Sequence, residues 1–65
     1  MTLSDDADRL ITTAEVALLL GVEPRTLQAW RQRHVGPAAV HLSPRVVRYR
    51  VGEVRAWLAD RERAA

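Results

Sequence analysis

Apolar residues recur with helical spacing in two adjoining stretches between Thr12 and Arg33. In the first, Val16, Ala17 and Leu20 follow an i, i+1, i+4 pattern, the mark of a helix with one buried side. Thr12 followed three residues later by Glu15 fits a capping box, so the helix should start there, with Thr13 as the alternative cap. Gly21 should end it near Leu20, because glycine accepts the left-handed cap conformation. Leu18 and Leu19 are surplus to the stripe. Both are expected to finish the small core, one of them beneath a later helix; exposure would instead suggest a protein contact. The second stretch starts at Glu23–Pro24, since proline at a first helical position loses no hydrogen bond, and runs to about Arg33. Its Leu27 and Trp30 fall on the inner side. Arg25, Thr26, Gln28, Ala29, Arg31 and Gln32 are left to cover the rest.

The period then changes. Gly36-Pro37 breaks the helix. Val40 and Leu42 alternate with Ala39 and His41, and Val47 and Tyr49 alternate with Arg48 and Arg50. Ser43-Pro44-Arg45 supplies a turn between them. These are the signals of a β-hairpin with one apolar face, which must lie against the helices because an isolated hairpin is barely stable in water. From Val51 to about Arg63 the helical period returns, with Val51, Val54, Trp57 and Leu58 as the stripe. Trp57 should close the core against Trp30 or Leu20. Gly52 and the missing Ser, Thr or Asp cap predict a weakly held first turn. The order is therefore α-α-β-β-α: a mainly α fold with a small β-hairpin, a winged helix-turn-helix. It should occupy residues 10–63, behind a flexible acidic tail over residues 1–9.

Charge sharpens this picture. The chain of 65 residues has a formal net charge of +2, but residues 1–20 carry −3, residues 21–50 carry +5 and residues 51–65 carry none. The positive charge thus gathers on the second helix and the hairpin. All ten basic residues are arginine, whose planar fork suits guanine edges and phosphates. A short helix with an apolar inner face and an Arg/Gln outer face is what a reader of the DNA major groove needs. A basic hairpin beside it is the wing, suited to phosphates or to the neighbouring minor groove.

Several classes drop out. A chain this short supports one domain and a core of roughly 3–5 kcal/mol net stability, with no room for a deep catalytic cavity. There is no cysteine, hence no disulfide and no thiolate metal site. No nucleophile sits with a base, no carboxylates pair, and no Gly-rich phosphate loop occurs. His34 and His41 have no third ligand in sight, whereas zinc needs at least three. No stretch approaches the roughly 20 apolar residues of a membrane span, and the acidic start is unlike a signal peptide. The expectation is a non-enzymatic protein of a prokaryotic cytoplasm, without cofactor, small-molecule ligand or membrane partner.

The ordered series Leu10-Ile11, Thr12 to Leu20, Leu20-Gly21-Val22, Thr26-Leu27-x-x-Trp30, Gly36-Pro37, Val40-x-Leu42, Arg45, Val47-Arg48-Tyr49 and Val54-x-x-Trp57-Leu58 resembles the phage excisionases, or recombination directionality factors, relatives of the MerR-type DNA-binding domain. The likeness runs over about residues 10 to 59. One departure is the wing turn: the group often has Gly-Gly-Arg where this chain has Ser43-Pro44-Arg45 and an extra Val46, so a stiffer, differently placed tip is expected. The resemblance implies a protein that binds adjacent sites on double-stranded DNA near an attachment site, bends the DNA and turns an integrase toward excision. It implies Arg25, Thr26, Gln28, Ala29 and Arg31 as the major-groove set and Ser43, Arg45 and Arg48 as the wing set. Self-association along DNA and contact with a phage integrase follow from the same likeness. A small transcriptional regulator would use the same surface, and a protein-interaction module would offer the basic face to an acidic partner.

Overall fold

Thr12 joins the first strand to the first helix, and its side chain sets the boundary. In the computed structural model, which describes residues 6–64, Glu15 N–H donates to Thr12 Oγ1 at 3.0 Å and Thr12 N–H donates to Glu15 Oε1 at 2.8 Å. Both halves of the capping box are therefore made, and helix α1 runs Thr13–Leu20. Gly21 adopts φ 71°, and Val22 N–H returns to the Ala17 carbonyl at 3.0 Å. Helix α2 spans Pro24–Gln32 with proline in its first turn.

Helix α2 ends four residues before Gly36. His34 takes φ 58°, the one positive φ among the described non-glycine residues. His34 N–H donates to Arg31 and Val35 N–H to Trp30, closing the helix as a glycine would. Gly36 then turns the chain at φ 81°, against the Trp30 ring.

Three strands follow from one local pairing and one between segments far apart in sequence. β1 is Leu10–Thr12, β2 Ala39–Ser43 and β3 Val46–Arg50. They form one antiparallel sheet in the order β1-β3-β2, so the expected hairpin gains a short third strand. Its register corrects the expected apolar face. Ala39 and Ile11 both stand opposite Tyr49, and His41 stands opposite Val47, while Val40 is opposite Arg48. Cross-strand partners share a face. The inner face is thus Ile11, Ala39, Val47 and Tyr49, and Val40 lies on the other one. The ladder is irregular between His41 and Ser43, which leaves Leu42 as a bulge, 56% exposed. Within five residues either alternation was available; pairing decides, and a shift of one residue exchanges the faces.

Helix α3, Val51–Ala64, leaves β3 without a loop. Its first turn is held, contrary to expectation. Val51 N–H donates to the Arg9 carbonyl at 2.9 Å, and a 3-10 turn, Asp6–Asp8, packs on the helix. Gly52 permits this approach: a Cβ there would lie 2.8 Å from Ala7 Cβ and 3.0 Å from Ala7 O. The segment expected as a flexible acidic tail is therefore packed from Asp6 onward, and Met1 to Asp5 lie outside the described residues.

The core is Ile11, Val16, Ala17, Leu27, Tyr49 and Val54, ringed by Leu20, Val22, Trp30, Ala39, Val47 and Val51. Trp30 is half-buried rather than central. Its ring meets Trp57 with centroids 5.5 Å apart, and Arg61 covers the outer side of Trp57 at 5.0 Å. Leu58, expected in the α3 stripe, is 40% exposed. Leu18 and Leu19 are not core at all: they are 84% and 67% exposed. The reason is angular. Val16, Ala17 and Leu20 take the places against the sheet and α2, so Leu18 and Leu19 are left on the rim of an open hollow that they share with Ile11 and with Val51 and Arg55 of α3.

Candidate nucleic-acid interface

Helix α2 presents exposed residues at i, i+3, i+4 and i+7. Arg25, Gln28, Ala29 and Gln32 are all exposed, and that spacing puts them on one outward arc. Leu27 is completely buried on the opposite side and anchors the helix. Four of the expected groove residues are therefore sorted by position: Arg25, Gln28 and Ala29 on the arc, with Thr26, half-buried, on one margin. Gln32 was left out of the expected set, yet it completes the arc; its spacing from Arg25 and Gln28 was the available signal.

Arg31 lies on the other margin and turns inward. It is half-buried, and its Nη1 donates to Tyr49 Oη at 3.0 Å and to Thr13 Oγ1 at 3.3 Å. Tyr49 is fully buried, so its hydroxyl would be stranded without this donor; no buried side-chain polar atom among the described residues lacks a partner.

The hairpin stands across from α2. Gln28, Arg31 and Gln32 share an open hollow of about 460 Å³ with His41, Pro44 and Val47 of the hairpin. The expected wing residues do not act as one group. Ser43 and Arg45 are at the tip, both exposed, and Arg45 N–H donates to Ser43 Oγ at 3.4 Å. Arg48 lies on the other face of β3 with its Nη1 donating to the Val47 carbonyl at 2.9 Å. His41, which sequence reasoning set aside after weighing it only as a metal ligand, faces the hollow because of the register described above.

Charge is left free across this face. Among the described residues the one ion pair joins Arg50 to Asp8 at 3.9 Å, both exposed. Among the described residues, Arg25, Arg31, Arg33, Arg45 and Arg48 have no carboxylate partner, so their field is available to a polyanion. Glu15 feels this charge through Arg48. The backbone N–H of Thr12 holds its carboxyl below the usual range, helped by the Thr12 hydroxyl and by the charges of Arg9 and Arg48. No group of three or more candidate metal ligands occurs among the described residues, and no helix of the described chain is long and apolar enough to cross a membrane.

A family model described as a helix-turn-helix domain matches residues 10–62. None of the curated proteins compared with the chain matches it.

Proposed function

The chain belongs to the helix-turn-helix domain family, and we propose that it is a phage or prophage excisionase. The coarser part is plain: it is a DNA-binding domain with a wing, and α2 is the helix that such domains put in the major groove. The observation that carries the reading is the outward arc of Arg25, Gln28, Ala29 and Gln32, free of ion pairs, beside a hairpin tip with Arg45. Arg and Gln on such an arc can form paired hydrogen bonds to guanine and adenine edges. Arg45 at the tip suits phosphate, and Thr26 at the margin of the arc suits the backbone beside the groove.

The excisionase assignment draws on two further features. One is the ordered run of motifs from Leu10-Ile11 to Trp57-Leu58. The other is size. A single module of this kind buries about 600–1,000 Å² on DNA, which rarely gives tight specific binding by itself. Two neighbouring leucines left out in solvent on α1 supply an apolar contact for a second copy on the next site. In this reading the protein acts on double-stranded DNA in a prokaryotic cytoplasm. Copies line up on adjacent sites, bend the DNA and favour the excising integrase complex.

A gel-shift titration tests this. The probe is a few hundred base pairs from beside the protein's own gene, with a scrambled control. Stepwise cooperative shifts with anomalous mobility are expected. A single shift at one palindromic promoter site would make it an ordinary transcriptional regulator. No preference over the scrambled probe at moderate salt would revive the protein-interaction reading.

A further inference from the structure

Arg31 is the one arginine of α2 whose side chain is committed to the protein itself. We infer that Arg31 is a positioning residue: it fixes the rotation of the recognition helix by tying it to α1 and to the central strand, and it does not read DNA. The inference rests on the DNA-binding reading above.

Three observations carry it. First, Nη1 donates to hydroxyls on two other elements, Thr13 of α1 and Tyr49 of β3. A contact to one element could follow a moving helix; contacts to two elements cannot both be kept when α2 turns. Second, the Tyr49 end is immobile. The residue is fully buried, and its strand is paired on both edges, with Ile11 and with Ala39. Third, Arg31 stands at the margin of the outward arc, next in sequence to Gln32 and one helical turn from Gln28. It is therefore well placed to set the angle at which the arc meets a groove.

That angle matters to base reading. Side-chain tips lie roughly 6 Å from a helix axis, so a rotation of about 20° moves them by about 2 Å. A displacement of that size turns a 2.9 Å hydrogen bond into no bond. Phosphate contacts made by long, exposed arginines tolerate it far better. Loosening the tie should consequently cost specificity before it costs general affinity. Both acceptors are neutral hydroxyls and no carboxylate faces Arg31 among the described residues, so its charge remains part of the general field.

The test compares the full chain with Tyr49→Phe, Arg31→Lys and the double variant. Each keeps every charge, and Tyr49→Phe removes only the hydroxyl. Binding is measured to the duplex that the wild type selects from a random-sequence pool and to a scrambled duplex, at several salt concentrations. Folding at the assay temperature is checked by circular dichroism. Either single substitution should lower the preference for the selected duplex about tenfold, as loss of one hydrogen bond to a charged group does. Scrambled-duplex affinity and salt slope should stay as in the wild type, and the double variant should be no worse than the worse single one. Wild-type specificity in Tyr49→Phe, or losses that multiply in the double variant, would overturn the inference and return Arg31 to the DNA contacts. If Arg31→Lys does not fold, Tyr49→Phe alone decides. A wild type that selects no sequence would instead overturn the DNA-binding reading beneath it.

Discussion

Replacing Leu18 and Leu19 together by glutamine separates a structural from an associative use of α1. Glutamine has nearly the helix propensity of leucine, so the helix itself should be unaffected. The two leucines are 84% and 67% exposed, so little of their apolar surface is buried in the fold. Full burial of a leucine is worth about 1.5–3 kcal/mol. Most of that is still available to a partner, roughly 2–4 kcal/mol for the pair, less the cost of ordering the contact. Thermal unfolding should accordingly change by less than about 0.5 kcal/mol, as for other surface substitutions. In a gel-shift titration on a probe with two adjacent sites, the first shift should keep its midpoint. The second should weaken at least tenfold, since each 1.4 kcal/mol is a factor of ten. Unchanged cooperativity would refute the self-association argument. A collapse of the melting temperature would refute the account of the fold, because it would mean that these leucines are core after all.

Four other tests probe the remaining claims. Gln28→Ala or Arg25→Ala should relax sequence preference at a cost of about 1–3 kcal/mol, read by competition with single-base variants of the selected duplex. Arg45→Ala should instead weaken all duplexes alike and reduce the slope of log K against log salt by about one. Gly52→Ala gains about 1 kcal/mol of helix propensity but pushes a Cβ to within 2.8 Å of Ala7. The Asp6–Asp8 turn should lift off, and tryptic cleavage after Arg9 should speed up while the melting temperature stays nearly level; a clear rise in melting temperature with Arg9 still protected would contradict this. Glu15 has a depressed pKa in the fold, so its contribution is present above the pKa of the unfolded chain and is lost as pH falls through the folded value. Glu15→Gln keeps the acceptor for Thr12 N–H and should flatten that acid limb of a stability–pH curve.

The parts of the fold that were legible in the sequence are those fixed by neighbours in the chain. Thr12 and Glu15 cap each other, Gly21 and Pro24 bracket the turn, and the alternation around Tyr49 marks a strand; each effect acts over four residues or fewer. What was not legible depends on distant partners. Leu10–Thr12 is too short to show an alternation and becomes a strand only by pairing with β3. The Val40 face was misjudged because its register is set by the bulge near Leu42, not by its own pattern. Gly52 read as a defect until Ala7 stood against it. Leu18 and Leu19 read as core because a stripe does not say whether anything lies over its far side. On the candidate site, Arg25 and Gln28 were legible from helical spacing alone. Arg31 was not: an arginine beside the arc has the same spacing whether it faces a base or the hydroxyl of a tyrosine on a distant strand.

The central strand explains why a module this small can hold two DNA-facing elements in fixed relation. β3 pairs with β1 and β2, its Tyr49 holds α2 through Arg31, and its last residue leads directly into α3. Wing and recognition helix therefore share one anchor. From Tyr49 to Arg45 is four residues of extended chain, about 13 Å at the strand rise. The major groove is about 12 Å wide. On the proposed reading, with α2 seated in the groove, a tip that far from the anchor suits the flanking backbone rather than the bases. The turn has no room to reach further: proline fixes its own backbone angle, and Arg45 adopts no positive φ. On the proposed reading this divides the work. The arc on α2 selects the sequence, the rigid tip adds affinity without selecting, and the strand between them keeps both in register with the same duplex.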